Sequence, residues 1–308
     1  MLPELPSAYC KAISTKFGPA GREWLDHSSV ILAKYQERFQ LSDLCLAADL
    51  SYNLVYYATS QKLGAIVIKY GLPGSEFQRE LRALKLYDGQ GACRLYYGNV
   101  SDRVMILERL LPGQPLREIK QRKERLMIWV ETAQKLLRTG SGFPSYGAIL
   151  DRAFKKAERT PAAYRDIAAY IQPAKQQYRR LRQLQADDWL LHGDLHHDNI
   201  LASDKGYRAI DPQGLIGPRV LEAARFLENE ISQADYRRAD IRQAVSLTAT
   251  YFKEKEVMIS RALFIDLVLT ACWDNEENIT AREKKQNGEK LALLADYLGE
   301  SAGHSNDV

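Results

Sequence analysis

The sequence predicts an α+β (α/β) chain in two parts, a small five-stranded N-terminal part with one helix and a larger, mainly helical C-terminal part. Three observations carry this. Between residues 44 and 107, short apolar, β-branched and aromatic runs alternate with turn residues, the pattern of strands. One helical pattern interrupts them over residues 76–87, where Leu81, Leu84 and Tyr87 share a face. Beyond Pro112-Gly113, apolar residues recur mostly at helical spacing.

Taken in order, residues 1–43 read as helix and connection, with an amphipathic stretch beginning at Val30-Ile31-Leu32. Strands follow at 44–49, 54–60 and 65–70, then the helix at 76–87, then strands at 92–97 and 103–107. Residues 110–115, Leu-Leu-Pro-Gly-Gln-Pro, break regular structure and end a hinge. The expected division is therefore 1–109 and 110–308. Helical patterns cover 116–138, 162–184, 220–232, 239–252, 260–273 and 281–298, and the polar tail from 299 reads as frayed.

Composition narrows the function. With 308 residues, 45% hydrophobic and 27% charged, the chain has enough material for two cores. A net charge of +4 is small for this length and argues against nucleic acid as a partner. The basic clusters at 117–125 and 175–182 fit solvated helix faces. Cys10, Cys45, Cys93 and Cys272 form no C-x-x-C pair, as expected of reduced thiols in a cytosol. No apolar run approaches the roughly 20 residues of a membrane span, and no signal pattern opens the chain. The expectation is a cytoplasmic protein without a membrane partner, monomeric or homodimeric.

The chemistry concentrates in Leu191-His192-Gly193-Asp194-Leu195-His196-His197-Asp198-Asn199, which fits the kinase catalytic-loop pattern H-x-D-L-x-x-x-N. Asp211 follows twelve residues after Asn199. Phosphoryl transfer needs one carboxylate to align a hydroxyl and take its proton. It also needs an amide and a second carboxylate to hold Mg²⁺ against nucleotide phosphates. The run from Asn199 to Asp211 reads as a hairpin turning at Asp204-Lys205-Gly206, which brings its two ends together. A hydrolytic zinc site built on His192 and His196 is the competing reading. The Gly-Asp pair and the following strand argue against the helix that such a site requires.

These residues resemble the aminoglycoside phosphotransferase family, which has a protein-kinase-like two-lobed fold. The runs HGDLHHDNIL, AIDPQGLIGP, ERLLPGQPL and YDGQGACRLY look most like its streptomycin 6-kinase and hydroxyurea phosphotransferase branch. The similar stretches run from about residue 44 to 273. The resemblance implies Asp194 as the catalytic carboxylate, with His192 bracing its loop. It implies Asn199 and Asp211 as Mg²⁺ ligands and ATP as co-substrate. Ala65-Ile66-Val67-Ile68-Lys69 is similar to the kinase strand whose lysine contacts phosphate, with Glu80 as its partner and Glu76 as the competitor one turn earlier. No G-x-G-x-x-G is present, and the turn holding Ser51 and Asn53 is the candidate for phosphate contacts. Adenine is expected near Glu108 and Leu110.

For the acceptor, Asp266, Thr270, Trp273, Asp274 and Glu277 share one helical face. An aromatic ring with carboxylates suits a cationic sugar or cyclitol, since guanidinium groups pair with carboxylates. A merely solvated helix end is the alternative. Glu222 and Arg225 are candidates for a structural pair, and Glu228 and Glu230 for the pocket mouth or for solvent. The expected function is ATP-dependent phosphorylation of a small cationic molecule of streptomycin type. The rivals are a kinase of the same fold acting on a choline, homoserine or glycated-amine metabolite, and a nucleotide-binding regulatory module without turnover.

Overall fold

The computed structural model describes residues 4–48, 50, 52–232, 237–277 and 279–303. Its contacts divide the chain into two units, Met1–Gln114 with Ala202–Ile210, and Pro115–Leu201 with Asp211–Val308.

In the first unit, helix α1 (Ser7–Arg38) kinks at Gly18, whose φ of 58° is followed by Pro19. Glycine tolerates that conformation and proline cannot continue the hydrogen-bond ladder. Strands β1 (Leu41–Leu46), β2 (Leu54–Ser60), β3 (Gly64–Tyr70), β4 (Leu95–Asn99) and β5 (Val104–Glu108) form an antiparallel sheet in the order β1-β2-β3-β5-β4. Helix α2 (Ser75–Tyr87) lies between β3 and β4 in sequence. Leu54, Tyr56 and Ala58 of β2 and Ile66, Ile68 and Tyr70 of β3 alternate into one core with Ile13, Trp24, Leu32 and Tyr35 of α1. Trp24 stacks on Tyr70 with ring centroids 4.9 Å apart, and its Nε1 donates to the Gly71 carbonyl at 2.8 Å.

Two strands depart from expectation by two residues or more. The first strand spans 41–46 rather than 44–49, and Asp49 lies outside the described residues. The fourth begins at Leu95 rather than Ala92, because residues 91–93 have another partner. The Cys93 N–H donates to the Ala209 carbonyl, and the Ala209 N–H to Gly91, both at 2.8 Å. This bridge draws 202–210 into the first unit, whereas the sequence predicts one division, between 109 and 110.

Strand β6 (Pro112–Pro115) occupies the stretch expected to be irregular. The second unit then supplies helices α3 (Arg122–Leu136), α4 (Tyr146–Arg159) and α5 (Ala168–Leu184). Strands β7 (Trp189–Leu191), β8 (Ile200–Ser203), β9 (Gly206–Ala209) and β10 (Leu215–Gly217) surround the catalytic-loop sequence. Helices α6 (Glu222–Ser232), α7 (Arg238–Phe252), α8 (Glu256–Glu276) and α9 (Ala281–Gly303) complete the chain. The run 116–138 is not one helix. A 3₁₀ turn, Leu116–Glu118, ends before α3, and Arg125 Nη1 satisfies the freed carbonyls of Ile119 and Lys120 at 2.6 and 2.8 Å. Helix α4 has no counterpart in the sequence reading, although Tyr146, Leu150, Phe154 and Ala157 recur at helical spacing and are buried. Helix α8 is buried almost all round and packs against α4, α5, α6, α7 and α9. Among the described residues no helix is long and apolar enough to cross a membrane.

Trp24→Ala should destabilise the first unit by about 3–5 kcal/mol, the usual range for an aromatic truncation in a packed core. Trp24→Phe keeps most of the ring and should lose about 1 kcal/mol for the missing hydrogen bond. Urea titration of both variants followed by circular dichroism separates the two terms.

Candidate active site

The loop between β7 and β8 carries the candidate catalytic residues, and its backbone is unusual where the chemistry is densest. Gly193 has φ +82°, and an added Cβ would sit 2.9 Å from Leu215 Cδ1. Only glycine meets both conditions at low cost. The neighbouring amides are held by a buried carboxylate: Glu222 Oε2 accepts the His192 N–H at 2.6 Å and Oε1 accepts the Gly193 N–H at 3.2 Å. Burial pushes Glu222 up to about 7, against the pull of those two N–H groups. His192 is fully buried, its carbonyl accepts from the Gln213 and Gly214 N–H groups, and its Nδ1 faces the Asp194 N–H at 3.3 Å.

The next residues are tied down from several sides. The Leu195 carbonyl accepts from Trp129 Nε1 at 3.1 Å. His197 is buried, stacks on Phe226 at 4.5 Å, and meets Glu230 Oε2 through Nε2 at 2.7 Å. Glu230 also accepts from Arg122 Nε at 3.0 Å and Arg125 Nε at 2.9 Å. Burial alone would raise Glu230, but His197 and Arg125 outweigh it and bring the carboxyl down to about 2. His196 Nε2 lies 3.8 Å from Asp194 Oδ2, and burial lowers its pKa despite that neighbour. Asp198 pairs with Arg117.

Asn199 donates from Nδ2 to the Asp194 carbonyl at 2.9 Å and faces Asp194 Oδ2 at 3.4 Å. That use of the amide nitrogen turns Oδ1 into the atom available to a ligand. The paired strands β8 and β9 separate Asn199 from Asp211 in sequence and form the expected hairpin. Asp211 is exposed and adopts φ +57°, a region in which a non-glycine residue costs energy and in which Asp is enriched. An amide oxygen and a carboxylate are hard donors, so the pair suits Mg²⁺.

In the first unit, Lys69 Nζ donates to Glu80 Oε1 at 2.8 Å, both side chains buried, while Glu76 is exposed. Asn53 Oδ1 accepts the Leu72 N–H at 3.1 Å, so its side chain pins the turn. Ser51 lies outside the described residues. Glu108 does not present its carboxylate outward. Arg208 grips it at 2.7 and 2.6 Å and the Arg94 N–H adds a third bond, which together hold it below its ordinary range although burial alone would raise it. Leu110 is buried beside them in sequence.

The acceptor candidates do not act as one set. Asp266 is buried, and its Oδ1 accepts from Tyr146 Oη at 2.6 Å. Asp274 accepts from Asn287 Nδ2 at 2.9 Å, and Glu277 is exposed at the C-cap of α8. What gathers Asp266 and Trp273 is Arg225, which the sequence reading paired with Glu222. Its guanidinium lies 3.6 Å from Asp194 Oδ1, 3.4 Å from Glu228 Oε2 and 3.6 Å from Asp266 Oδ1. Nη1 donates to Thr270 Oγ1 at 2.9 Å, and Cζ sits 5.7 Å from the Trp273 ring centre. Burial opposes the Arg225 cation, but Asp266, Glu228 and Asp194 outweigh it and raise its pKa. Burial pushes Glu228 up to about 7, with Arg225 pulling the other way. Glu230, a candidate for the pocket mouth, is instead buried in the His197 network.

The family model for aminoglycoside/hydroxyurea antibiotic resistance kinases matches residues 48–277. The chain belongs to this family. It is 24% identical over 301 residues to a streptomycin 6-kinase of Streptomyces glaucescens, a match covering 91% of this chain and 94% of that one. It is 34% identical over 152 residues to a streptomycin 3''-kinase of Klebsiella pneumoniae. That second match covers 48% of this chain and spans about half, 55%, of its relative. Among solved structures, a thermostable mutant of the aminoglycoside phosphotransferase APH(4)-Ia in a ternary complex with AMP-PNP and hygromycin B superimposes with a TM-score of 0.61 at 13% identity, over 88% of this chain and 98% of that one. The fold is the two-lobed protein-kinase-like one.

Glu230 offers a test of how the loop is held. Its value of about 2 lies below the ordinary 4.5, so its stabilising contribution is present above about 4.5 and is lost as the pH falls towards 2. Glu230→Gln should cost about 3–5 kcal/mol at neutral pH, because Arg125 and His197 lose a buried partner. The variant's stability should also fall less steeply than wild type between pH 4.5 and 2, as read from denaturant midpoints across that window.

Proposed function

We propose that this chain transfers the γ-phosphate of ATP to a hydroxyl group of a streptomycin-type aminoglycoside. The observation that carries the acceptor class is the group of three carboxylates, Asp194, Glu228 and Asp266, around the single guanidinium of Arg225. Negative charge exceeds positive beside the candidate base, which favours an acceptor bearing cations. Membership of the kinase family and the loop Asp194-to-Asn199 with Asp211 support the reaction type.

In this reading Asp194 receives the acceptor hydroxyl and takes its proton as the oxygen attacks the γ-phosphorus. The carboxylate is partly exposed, and the fixed loop holds it ready before the acceptor arrives. Lys69, braced by Glu80, neutralises phosphate charge. Asn199 and Asp211 would hold Mg²⁺, which when bound offsets the charge of the nucleotide phosphates. A buried His192 braces the loop and touches no reactant. Glu108 and Leu110 would contact the adenine through backbone groups, since the Glu108 carboxylate is taken by Arg208. ATP use fits a cytoplasmic protein.

The direct test is an acceptor panel with Mg-ATP, read by mass spectrometry for the gain of one phosphate. Streptomycin should gain it. Modification of another small alcohol while streptomycin stays intact would remove the substrate and leave the kinase standing. Asp194→Ala should lower kcat by about 10²- to 10⁴-fold, the usual worth of general base catalysis, with the KM for ATP little changed. Asp211→Asn should raise the Mg²⁺ concentration needed for half-maximal activity, and an unchanged requirement would put the metal elsewhere.

Glu228 adds a proton-linked test. A cation bound beside it favours its ionised form, so near pH 7 the acceptor should bind with release of protons. Titration calorimetry in two buffers of different ionisation enthalpy measures this. Proton uptake on binding would separate Glu228 from the acceptor.

A further inference from the structure

Arg225 touches both the candidate base and the acidic group on α8. Its stem leaves α6, and its head is fixed by Thr270 and Asp266 of α8 and by Glu228 one turn along its own helix. The guanidinium carbon also lies over the Trp273 ring, 5.7 Å from its centre. These contacts restrict a planar cation in position and orientation. Towards Asp194 the arrangement differs. Nε stands 3.6 Å from Oδ1, an ion-pair distance, and Nε is buried without any hydrogen-bond partner. A bidentate Arg–carboxylate pair at about 2.8 Å would occupy the lone pairs of Asp194. The looser approach supplies attraction and leaves those lone pairs open for a hydroxyl. On its other oxygen, Asp194 faces Asn199 Nδ2 at 3.4 Å and His196 Nε2 at 3.8 Å. The carboxylate therefore sits between a cation on Oδ1 and an amide with an imidazole on Oδ2.

We propose that Arg225 is a positioning residue of the phosphotransfer reaction, aiming the Asp194 carboxylate at the acceptor hydroxyl through its guanidinium. The proposal rests on the reading of Asp194 as the base. Arg225 acts through Asp194, so its loss belongs in kcat. An error of about 1 Å in the placement of a catalytic group costs on the order of 10²-fold in rate.

The test uses the full chain with Mg-ATP and streptomycin, or whichever acceptor the panel identifies. Arg225→Ala should lower kcat about ten- to a hundredfold with the KM for ATP unchanged within about twofold. Guanidinium chloride at low millimolar concentration should restore several-fold of that loss by filling the vacated position. It should restore nothing in Asp194→Ala. Arg225→Lys keeps the charge on a shorter, non-planar head, and should retain more activity than Arg225→Ala and less than wild type. Thermal melts accompany each variant. If Arg225→Ala does not fold, Arg225→Lys decides, and wild-type kcat in that variant overturns the proposal. Near-wild-type kcat in a folded Arg225→Ala overturns it too, as does a loss that guanidinium leaves untouched. With Asp194→Ala inactive, either result removes Arg225 alone. An active Asp194→Ala instead removes the reading beneath it.

Discussion

The candidate catalytic loop depends on a buried carboxylate that takes hold of its backbone. Glu222 accepts the amide hydrogens of His192 and Gly193, where Gly193 is in a conformation that few residues adopt. Those two N–H groups point into the protein, away from solvent. Left without an acceptor, each would cost about 1–3 kcal/mol, and the loop would relax to recover hydrogen bonds elsewhere. Asp194 follows immediately, so its position inherits that of the Glu222 carboxylate. The same helix continues the work. Arg225 faces Asp194, Phe226 stacks on His197, and Glu230 binds His197 from its last turn.

Burying so many charges is not an efficient route to stability. Apolar residues of the same volume in place of Arg122, Arg125, Glu230 and His197 would often hold a core as well or better. A charged network does constrain geometry more tightly than apolar packing, because each hydrogen bond accepts a narrow range of distance and angle. In this protein that constraint falls on the loop that carries Asp194 and Asn199. Unit two thus trades some possible stability for a loop held at fixed points, from α3 through Trp129 and Arg125 and from α6 through Glu222 and Glu230.

Legibility in the sequence followed the range of the interactions. The hairpin between Asn199 and Asp211 was readable because its strands and turn are contiguous. The Lys69–Glu80 pair was readable through the family resemblance, which supplies a strand lysine and a partner glutamate on the next helix, here eleven residues apart. Helix α4 went unread behind its Gly- and Pro-containing lead-in, although its apolar spacing was present. The start of β4 is not legible locally, because residues 91–93 pair with Ala209, more than a hundred positions away. Arg225 was hidden for a similar reason. Glu222 lies three residues from it and offers an obvious partner on a helix surface. The partners it has, Asp194 and Asp266, lie 31 residues before it and 41 after it. Asp274 and Glu277 share a helical face with Asp266 by period, but the C-terminal end of α8 leaves Glu277 in solvent and gives Asp274 to Asn287.

Helix α6 also limits how a gene for this protein can change. Positions 222, 225, 226 and 230 serve one loop because they fall on successive turns of a single helix. An α-helix advances about 100° per residue, so one codon added or lost between 222 and 230 would swing every later side chain away from its partner. Substitution can be absorbed at a half-buried position of this helix such as Asn229. A shift in length cannot, because it breaks the contacts to Asp194, the stack on His197 and the Glu230 network together. Among descendants of such a gene, insertions and deletions should collect in the connections between helices and leave the length of α6 untouched.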